Sequence, residues 1–309
     1  MLSRRDLVAG FGTTALGSLL RVRSPLGETP SAGRQWPWVT PAIVAPGLQQ
    51  IVFESAVART DVSFHVLSPP AVTTEPKRLF PTLYWLHGTA GAIASIRPVA
   101  ALFAQAMQDG RMPQAFVVFP NGLRDSLWCD ARDGSTPVES ILMREIIPIV
   151  DDRLRTINDR AHRTIEGFSM GGFGAGHLGF RYPETFAAIS MLGAGPLQVA
   201  FTSASVVPTN RPLQAELFAR IFGSDQDYFR AESPRGLATA NAARLRNGMR
   251  IRIAIGSDDF TLAANRDFSA FLFALGIQHD LTIVPGVGHH ALTLFGALGF
   301  DFHRSVFSA

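Results

Sequence analysis

Cysteine is almost absent from this chain of 309 residues, and so are runs of charge of one sign. Because Cys129 is the only cysteine, no disulfide can form within the chain, and its neighbour Trp128 favours a small buried side chain there. Charged residues make up only 17% of the chain, the net charge is +3, and the lysines and arginines are scattered. A surface for nucleic acid, which needs clustered basic residues, is therefore not indicated.

Signatures of metal and nucleotide binding are also missing. The glycine-rich segment 167–176 lacks the Lys-Ser/Thr ending of a phosphate loop, and it lacks the spacing and the distal acid of a dinucleotide site. Five histidines show no pairing with a carboxylate in a metal-ligand pattern: His65, His162, His177, His279 and His303. We therefore expect neither a metal nor a bound nucleotide.

The first residues differ in composition from the rest of the chain. Arg4 and Arg5 precede a mildly apolar run that ends near Leu20 and is too short to span a bilayer comfortably. This pattern resembles a twin-arginine export signal, although a basic, frayed helix is the alternative. We expect residues 1–33 to be a signal and linker, the protein to be periplasmic or secreted, and no stable membrane insertion to follow export.

From residue 34 onward, short apolar runs alternate with helical patterns. Strands are predicted at 50–57, 62–67, 81–86, 115–119, 164–167, 187–192, 251–255 and 281–284. Helices are predicted at 99–109, 138–155, 172–180 and 263–275. This alternation indicates one α/β domain, 34–309, with a mostly parallel central sheet and helices on both faces. A longer stretch with several prolines, 195–248, is predicted to be a helical excursion over one end of the sheet.

One serine lies where strand is predicted to give way to helix. Residues 167–171 read Gly-Phe-Ser-Met-Gly and match G-x-S-x-G, with Ser169 between a predicted strand and a predicted helix. In such a turn the serine hydroxyl is exposed, and the two glycines let neighbouring backbone pass closely. The pattern makes Ser169 a candidate nucleophile.

The groups that could activate this serine follow later in the chain. Asp258 and Asp259 come after the predicted strand 251–255, and His289 and His290 come after the predicted strand 281–284. The order serine, acid, histidine is that of the α/β-hydrolase fold. The residues themselves leave open which aspartate orients the base and which histidine is the base.

Ester chemistry also requires two N–H donors for the oxyanion that forms during attack. The backbone N–H of Met170, directly after the serine, is one candidate. The other is the N–H of Thr89, in the loop Trp-Leu-His-Gly-Thr-Ala-Gly at 85–91 after an early strand. His87 in this loop precedes the serine in the chain, so we predict that it braces the loop and is not the base.

Seven segments carry a resemblance to a known family. They are LHGTAG at 86–91, FPNG at 119–122, GFSMGG at 167–172, RYPETF at 181–186, FGSDQDYF at 222–229, GSDD at 256–259 and PGVGHH at 285–290. Together they resemble the esterase D, feruloyl esterase and antigen 85 group of α/β-hydrolases over about residues 45–305.

The resemblance implies an α/β-hydrolase fold and a serine carboxylic-ester hydrolase or acyltransferase without a cofactor. In relatives the acid lies three residues past the glycine that ends its strand, which corresponds to Asp259. The histidine of relatives directly follows a glycine, as His289 follows Gly288. In many relatives this histidine is followed by Asp or Ser and then an aromatic residue, whereas here His289 is followed by His290, Ala291 and Leu292.

The sequence thus favours a serine esterase that acts through an acyl-enzyme on a small-molecule or glycan-linked ester. Two alternatives keep the same fold: an acyltransferase to a sugar or lipid alcohol, and a binding protein that has lost turnover.

Overall fold

An eight-stranded sheet is the centre of the fold in a computed structural model, which describes residues 37–89, 92–202 and 211–307. The strands are β1 (Leu48–Ser55), β2 (Thr60–Leu67), β3 (Thr82–Leu86), β4 (Phe116–Pro120), β5 (Arg163–Phe168), β6 (Ala188–Leu192), β7 (Arg250–Gly256) and β8 (Asp280–Val284). Their order is β1-β2-β4-β3-β5-β6-β7-β8. The hairpin β1–β2 and the pair β2–β4 are antiparallel, and the remaining pairs are parallel.

The sheet is covered on both faces because its central strands are apolar on both sides. In β3, Leu83 and Trp85 belong to one core cluster, and Tyr84 and Leu86 belong to the other. This alternation follows from the two-residue period of a strand. The mostly parallel sheet between two apolar cores confirms the architecture predicted from the alternating pattern.

Helices connect the strands. The longer ones are α2 (Ala92–Gln108), α5 (Met170–Arg181), α6 (Arg211–Phe222), α10 (Leu262–Ala274) and α11 (Ala291–Leu298). The shorter ones are α1 (Ala71–Thr74), α3 (Val138–Ile141), α4 (Ile147–Arg153), α7 (Gln226–Glu232), α8 (Pro234–Ala240), α9 (Ala242–Leu245), α12 (Asp301–Phe307) and a 3₁₀ turn at Arg160–His162. Within the described residues, none of these helices combines the length and the apolar character that a membrane crossing needs.

Two predicted helices differ in detail from those observed. The helix predicted at 99–109 begins earlier, at Ala92, and contains Pro98, because Ile96 ahead of the proline also packs into the core. The helix predicted at 138–155 is interrupted by a π-helical turn, Leu142–Ile146, between α3 and α4. Pro148 follows this turn, and a proline cannot donate the regular helical hydrogen bond, so the backbone adjusts before it.

The described residues belong to one compact unit, Trp36–Ala309. The predicted signal at 1–33 lies outside the described residues, as does part of the predicted excursion at 195–248. The described part of that excursion contains α6 to α9.

Candidate active site

Ser169 lies on a tight turn between β5 and α5, at the carboxyl edge of the sheet. Its φ of 59° and ψ of −117° are strained values for a residue with a side chain. Two flanking glycines explain how the turn fits. A Cβ on Gly171 would lie 1.9 Å from the backbone oxygen of Leu86, and a Cβ on Gly167 would lie 2.4 Å from the backbone oxygen of Gly171. The G-x-S-x-G pattern is therefore required by close backbone contact.

His289 links Ser169 to Asp259. Its Nε2 lies 2.9 Å from the Ser169 Oγ, and its Nδ1 lies 2.8 Å from the Asp259 Oδ2. Because a carboxylate can only accept, Nδ1 carries the proton and Nε2 accepts from the serine hydroxyl. The arrangement can remove the proton of Ser169 as this hydroxyl attacks.

The Asp259 carboxylate is held in place by its own loop. Its Oδ1 accepts hydrogen bonds from the backbone N–H and the hydroxyl of Thr261, both at 2.8 Å. Burial alone would raise the pKa of Asp259, but the hydrogen bonds from His289 and Thr261 outweigh it and lower the pKa below its ordinary value. The carboxylate therefore stays ionised and can stabilise a protonated His289.

The neighbouring aspartate and histidine make other contacts. Asp258 is exposed and accepts a hydrogen bond from the Ser257 hydroxyl at 2.8 Å. His290 is also exposed and caps the first turn of α11, where its Nδ1 lies 2.8 Å from the Thr293 Oγ1. The structure thus brings Ser169, His289 and Asp259 together, and it directs the side chains of Asp258 and His290 to other partners.

The two candidate oxyanion donors belong to segments next to the serine. Met170 is the first residue of α5, where the N–H groups of a helix point outward and its dipole favours negative charge. The loop after β3 passes directly beside the nucleophile, because a Cβ on Gly88 would lie 3.2 Å from the Ser169 Cβ. Thr89 is the next residue of this loop, which keeps it a candidate for the second donor.

His87 is a buried brace of the loop after β3. Its Nδ1 lies 2.9 Å from the backbone oxygen of Gly88, and its Nε2 accepts from the N–H of Gly122 at 3.1 Å. Burial lowers the pKa of His87 to about 4, so the ring is neutral and one nitrogen donates while the other accepts. The indole N–H of Trp128 also donates to the backbone oxygen of His87, at 3.1 Å. These contacts fix the loop that carries Thr89.

Several contributors to the site were not identified in the sequence. Thr261 follows Asp259 by two residues, and a hydroxyl at this spacing can donate a hydrogen bond back to the aspartate. The spacing could therefore have indicated Thr261. Phe168 and Phe260 both contact the imidazole of His289, with ring centroids 4.7 and 4.5 Å away. No local pattern indicates Trp128, because its contacts with His87 join distant segments of the chain.

Cys129 is buried, as predicted, and burial raises the pKa of its thiol. Among the residues that the structure describes, no group of three or more His, Cys, Asp or Glu side chains could hold a metal ion.

A serine on a strand-to-helix turn, with a histidine and an aspartate from later loops of a mostly parallel sheet, is the arrangement of an α/β-hydrolase. The family model described as "Putative esterase" matches residues 55–277, which is more than half of the chain. The chain belongs to this family, and the protein is a serine esterase.

Curated relatives carry matching descriptions. An acetyl esterase of Caldicellulosiruptor saccharolyticus is 25% identical over 198 residues, which cover 64% of this chain and 73% of the relative. Esterase Rv1288 of Mycobacterium tuberculosis is 26% identical over 264 residues, which cover 79% of this chain and 56% of the relative. The chain thus spans little more than half the length of the mycobacterial protein.

Solved structures share the fold. A ferulic acid esterase has a TM-score of 0.68 at 22% identity, over 84% of this chain and 97% of that one. The fluorophosphonate-binding serine hydrolase FphF of Staphylococcus aureus has a TM-score of 0.67 at 19% identity, over 84% and 96%. A ferulic acid esterase of Anaeromyces mucronatus in complex with ferulic acid has a TM-score of 0.60 at 17% identity, over 91% and 93%. The α/β-hydrolase fold predicted from the sequence is confirmed.

Proposed function

We propose that the protein is an exported carboxylic-ester hydrolase in which Ser169, His289 and Asp259 form a catalytic triad. The observation that carries the proposal is the continuous chain of contacts from the Ser169 Oγ through His289 to Asp259, at 2.9 and 2.8 Å. The chain of contacts begins at a serine on a strained turn that directly follows β5. Membership of the esterase family supports the same reaction.

In the first half of the reaction, the Ser169 Oγ attacks the ester carbonyl carbon while its proton passes to the His289 Nε2. The carbonyl oxygen becomes an oxyanion that accepts hydrogen bonds from the N–H groups of Met170 and Thr89. His289 then gives the proton to the alcohol oxygen as the C–O bond breaks, which leaves an acyl group on Ser169. Asp259 stabilises the imidazolium during both transfers.

In the second half, water takes the place of the departed alcohol. His289 removes a proton from this water, whose oxygen attacks the acyl carbon. Collapse of the second oxyanion releases the carboxylic acid, and the proton on His289 returns to Ser169. The reaction needs only the groups of this site and water.

The substrate we propose is a small-molecule or glycan-linked ester. Support comes from proteins that this chain is similar to, one described as an acetyl esterase and another as a ferulic acid esterase in complex with ferulic acid. A short or aromatic acyl group on an alcohol is consistent with both descriptions.

Hydrolysis of p-nitrophenyl esters from acetate to octanoate tests this function. We expect wild type to turn over the shorter esters and Ser169→Ala to lose about 10⁴-fold or more in kcat, because the nucleophile is gone. Ser135→Ala, at an exposed serine, is the matched control and should keep full activity. Normal turnover by a folded Ser169→Ala protein would refute the proposal.

Export is proposed from the amino-terminal sequence. Arg4 and Arg5 before a short apolar run are the address that a twin-arginine translocation receptor reads. A reporter fused to residues 1–33 should leave the cytoplasm. When Arg4 and Arg5 are both replaced with lysine, the reporter should stay in the cytoplasm. Retention of the reporter with the unaltered segment would refute export.

A further inference from the structure

The alcohol part of the ester must lie beside His289 if the proposed reaction is right, and the inference below rests on that function. The His289 Nε2 delivers the proton to the leaving alcohol, so the alcohol oxygen has to come within hydrogen-bond distance of this nitrogen. The carbon atoms attached to that oxygen then lie against whatever surrounds the imidazole. The side chains around His289 therefore decide which alcohols fit.

Phe260 is the exposed part of these surroundings. Its ring centroid lies 4.5 Å from that of His289, and the residue is 56% exposed to solvent. An isolated exposed phenylalanine is common on protein surfaces and needs no explanation. Phe260 differs because it contacts the proposed catalytic base, so its exposed ring lies where the substrate would bind.

The position of Phe260 is fixed by the loop that holds the acid. The preceding residue, Asp259, is buried and bonded to Thr261, which directly follows Phe260. The backbone of Asp258 also donates to the oxygen of Val287 at 3.0 Å, which ties this loop to the loop of His289. Phe260 therefore offers a pre-organised aromatic surface.

His289 does not depend on Phe260 alone for support. Asp259 and Ser169 bond to its two nitrogens, and Phe168 contacts its ring at 4.7 Å. Phe168 is itself closely packed, since a Cβ on Gly193 would lie 2.8 Å from its ring. The exposed surface of Phe260 is thus free to contact substrate.

We propose that Phe260 is a specificity-determining residue for the alcohol part of the ester, and that it favours alcohols with a flat apolar face. An aryl ring and the C–H face of a pyranose both have this shape, and both can stack on a phenyl ring. A methyl or ethyl group is too small to cover it.

Three acetate esters test the proposal, because they share an acyl group and differ in the alcohol: benzyl acetate, an O-acetylated methyl glycoside and methyl acetate. We expect Phe260→Ala to lower kcat/KM about 5- to 10-fold for at least one of the first two, and less than 2-fold for methyl acetate. Phe260→Tyr keeps the ring and should restore the preference. The control is Phe273→Ala, 79% exposed near the far end of α10.

The rate of deacylation separates this role from simple support of His289. All three esters form the same acetyl-enzyme, which water resolves after the alcohol has left, so deacylation should be unchanged in Phe260→Ala. Transfer of the acetyl group to added benzyl alcohol, relative to methanol, should fall by the same factor as benzyl acetate cleavage, because the alcohol occupies the same place in both directions.

The arms of the experiment identify the alcohol. A loss confined to benzyl acetate assigns Phe260 to aryl alcohols, and a loss confined to the glycoside assigns it to sugars. An equal loss for all three esters together with slower deacylation would overturn the proposal, as would no change for any ester. A wild type that cleaves none of the esters and does not react with a fluorophosphonate would instead refute the proposed function itself, and this inference with it.

Discussion

His289 and His177 each pair with a buried carboxylate, Asp259 and Glu139, at N–O distances of 2.8 and 2.6 Å. The second ring nitrogen distinguishes the two pairs. In His289 it faces the hydroxyl of Ser169, which can donate, at 2.9 Å. In His177 it lies 2.8 Å from the backbone oxygen of Glu232, which can only accept. A histidine between two acceptors is held as a cation, whereas a histidine between an acceptor and a hydroxyl can act as a base.

The surroundings of Glu139 reinforce its structural role. Burial alone would raise the pKa of this carboxyl, but His177, Arg181 and the Tyr182 hydroxyl outweigh it and hold the pKa at about 2. Burial also disfavours the charged form of His177, yet its neighbours Cys129 and Glu139 raise its pKa well above the ordinary value. The pair joins α3 to α5, and neither ring nitrogen of His177 is available to a substrate.

The largest expected effect is that of His289→Ala. Without a base at this position, we expect kcat to fall about 10⁴-fold or more while the free energy of unfolding changes little. Steady-state hydrolysis of p-nitrophenyl acetate measures the loss. His290→Ala is the matched control and should stay within about 3-fold of wild type, and a reversal of the two results would assign the base to His290.

Next in size is the effect of Asp259→Asn. An amide at this position can donate to the Nδ1 of His289 and so favour the wrong tautomer, which should lower kcat about 10³- to 10⁴-fold. The same assay, with circular dichroism to establish folding, measures it. Asp258→Asn should stay near wild type, because Asp258 contacts Ser257 and not the base. Equal losses in the two variants would contradict the assignment of Asp259.

His177→Gln should separate stability from activity. Removal of this cation leaves Glu139 buried with weaker compensation, so we expect the free energy of unfolding to fall by about 3–5 kcal/mol. Urea denaturation measures this change. Turnover per active site, titrated with a fluorophosphonate, should remain within about 3-fold of wild type. A loss of turnover comparable to that of His289→Ala would show that His177 takes part in the reaction and is not only structural.

The smallest effect is the pH dependence that Glu139 contributes. Its pKa in the folded protein is depressed to about 2 from an ordinary value of 4.5, so its stabilisation is complete above about pH 4.5 and is lost as the pH falls towards 2. We expect the difference in unfolding free energy between wild type and Glu139→Gln to shrink by about 2–3 kcal/mol across this interval. The comparison with Glu139→Gln is needed because the pKa of Glu166 is also about 2. Glu166 therefore contributes to the pH dependence of both proteins over the same interval, and its contribution cancels in the difference. A difference that is constant with pH would contradict the assigned shift.

Much of the site could be predicted because it is encoded in short segments at strand ends. The elbow around Ser169 and the order of acid and histidine are local patterns, and the structure brings these residues together. The choice between Asp258 and Asp259 is not local, since it depends on which of the two side chains reaches His289, 30 positions further along the chain.

Contacts between distant segments were beyond prediction from the sequence. His177 and Glu139 are 38 positions apart, and His87 and Trp128 are 41 positions apart, so only the packing of α5 and the loops on the sheet brings them together. The same is true of the π-helical turn before Pro148, where a continuous helix was expected.

The central claim is that Ser169 is a nucleophile activated by His289. The most direct test is to treat the purified protein with a fluorophosphonate and map the adduct by mass spectrometry, with Ser169→Ala and His289→Ala alongside. We predict a single adduct on the peptide containing Ser169 in wild type, none in Ser169→Ala and much slower labelling in His289→Ala. A folded wild type that stays unlabelled, or an adduct on another residue, would contradict the account.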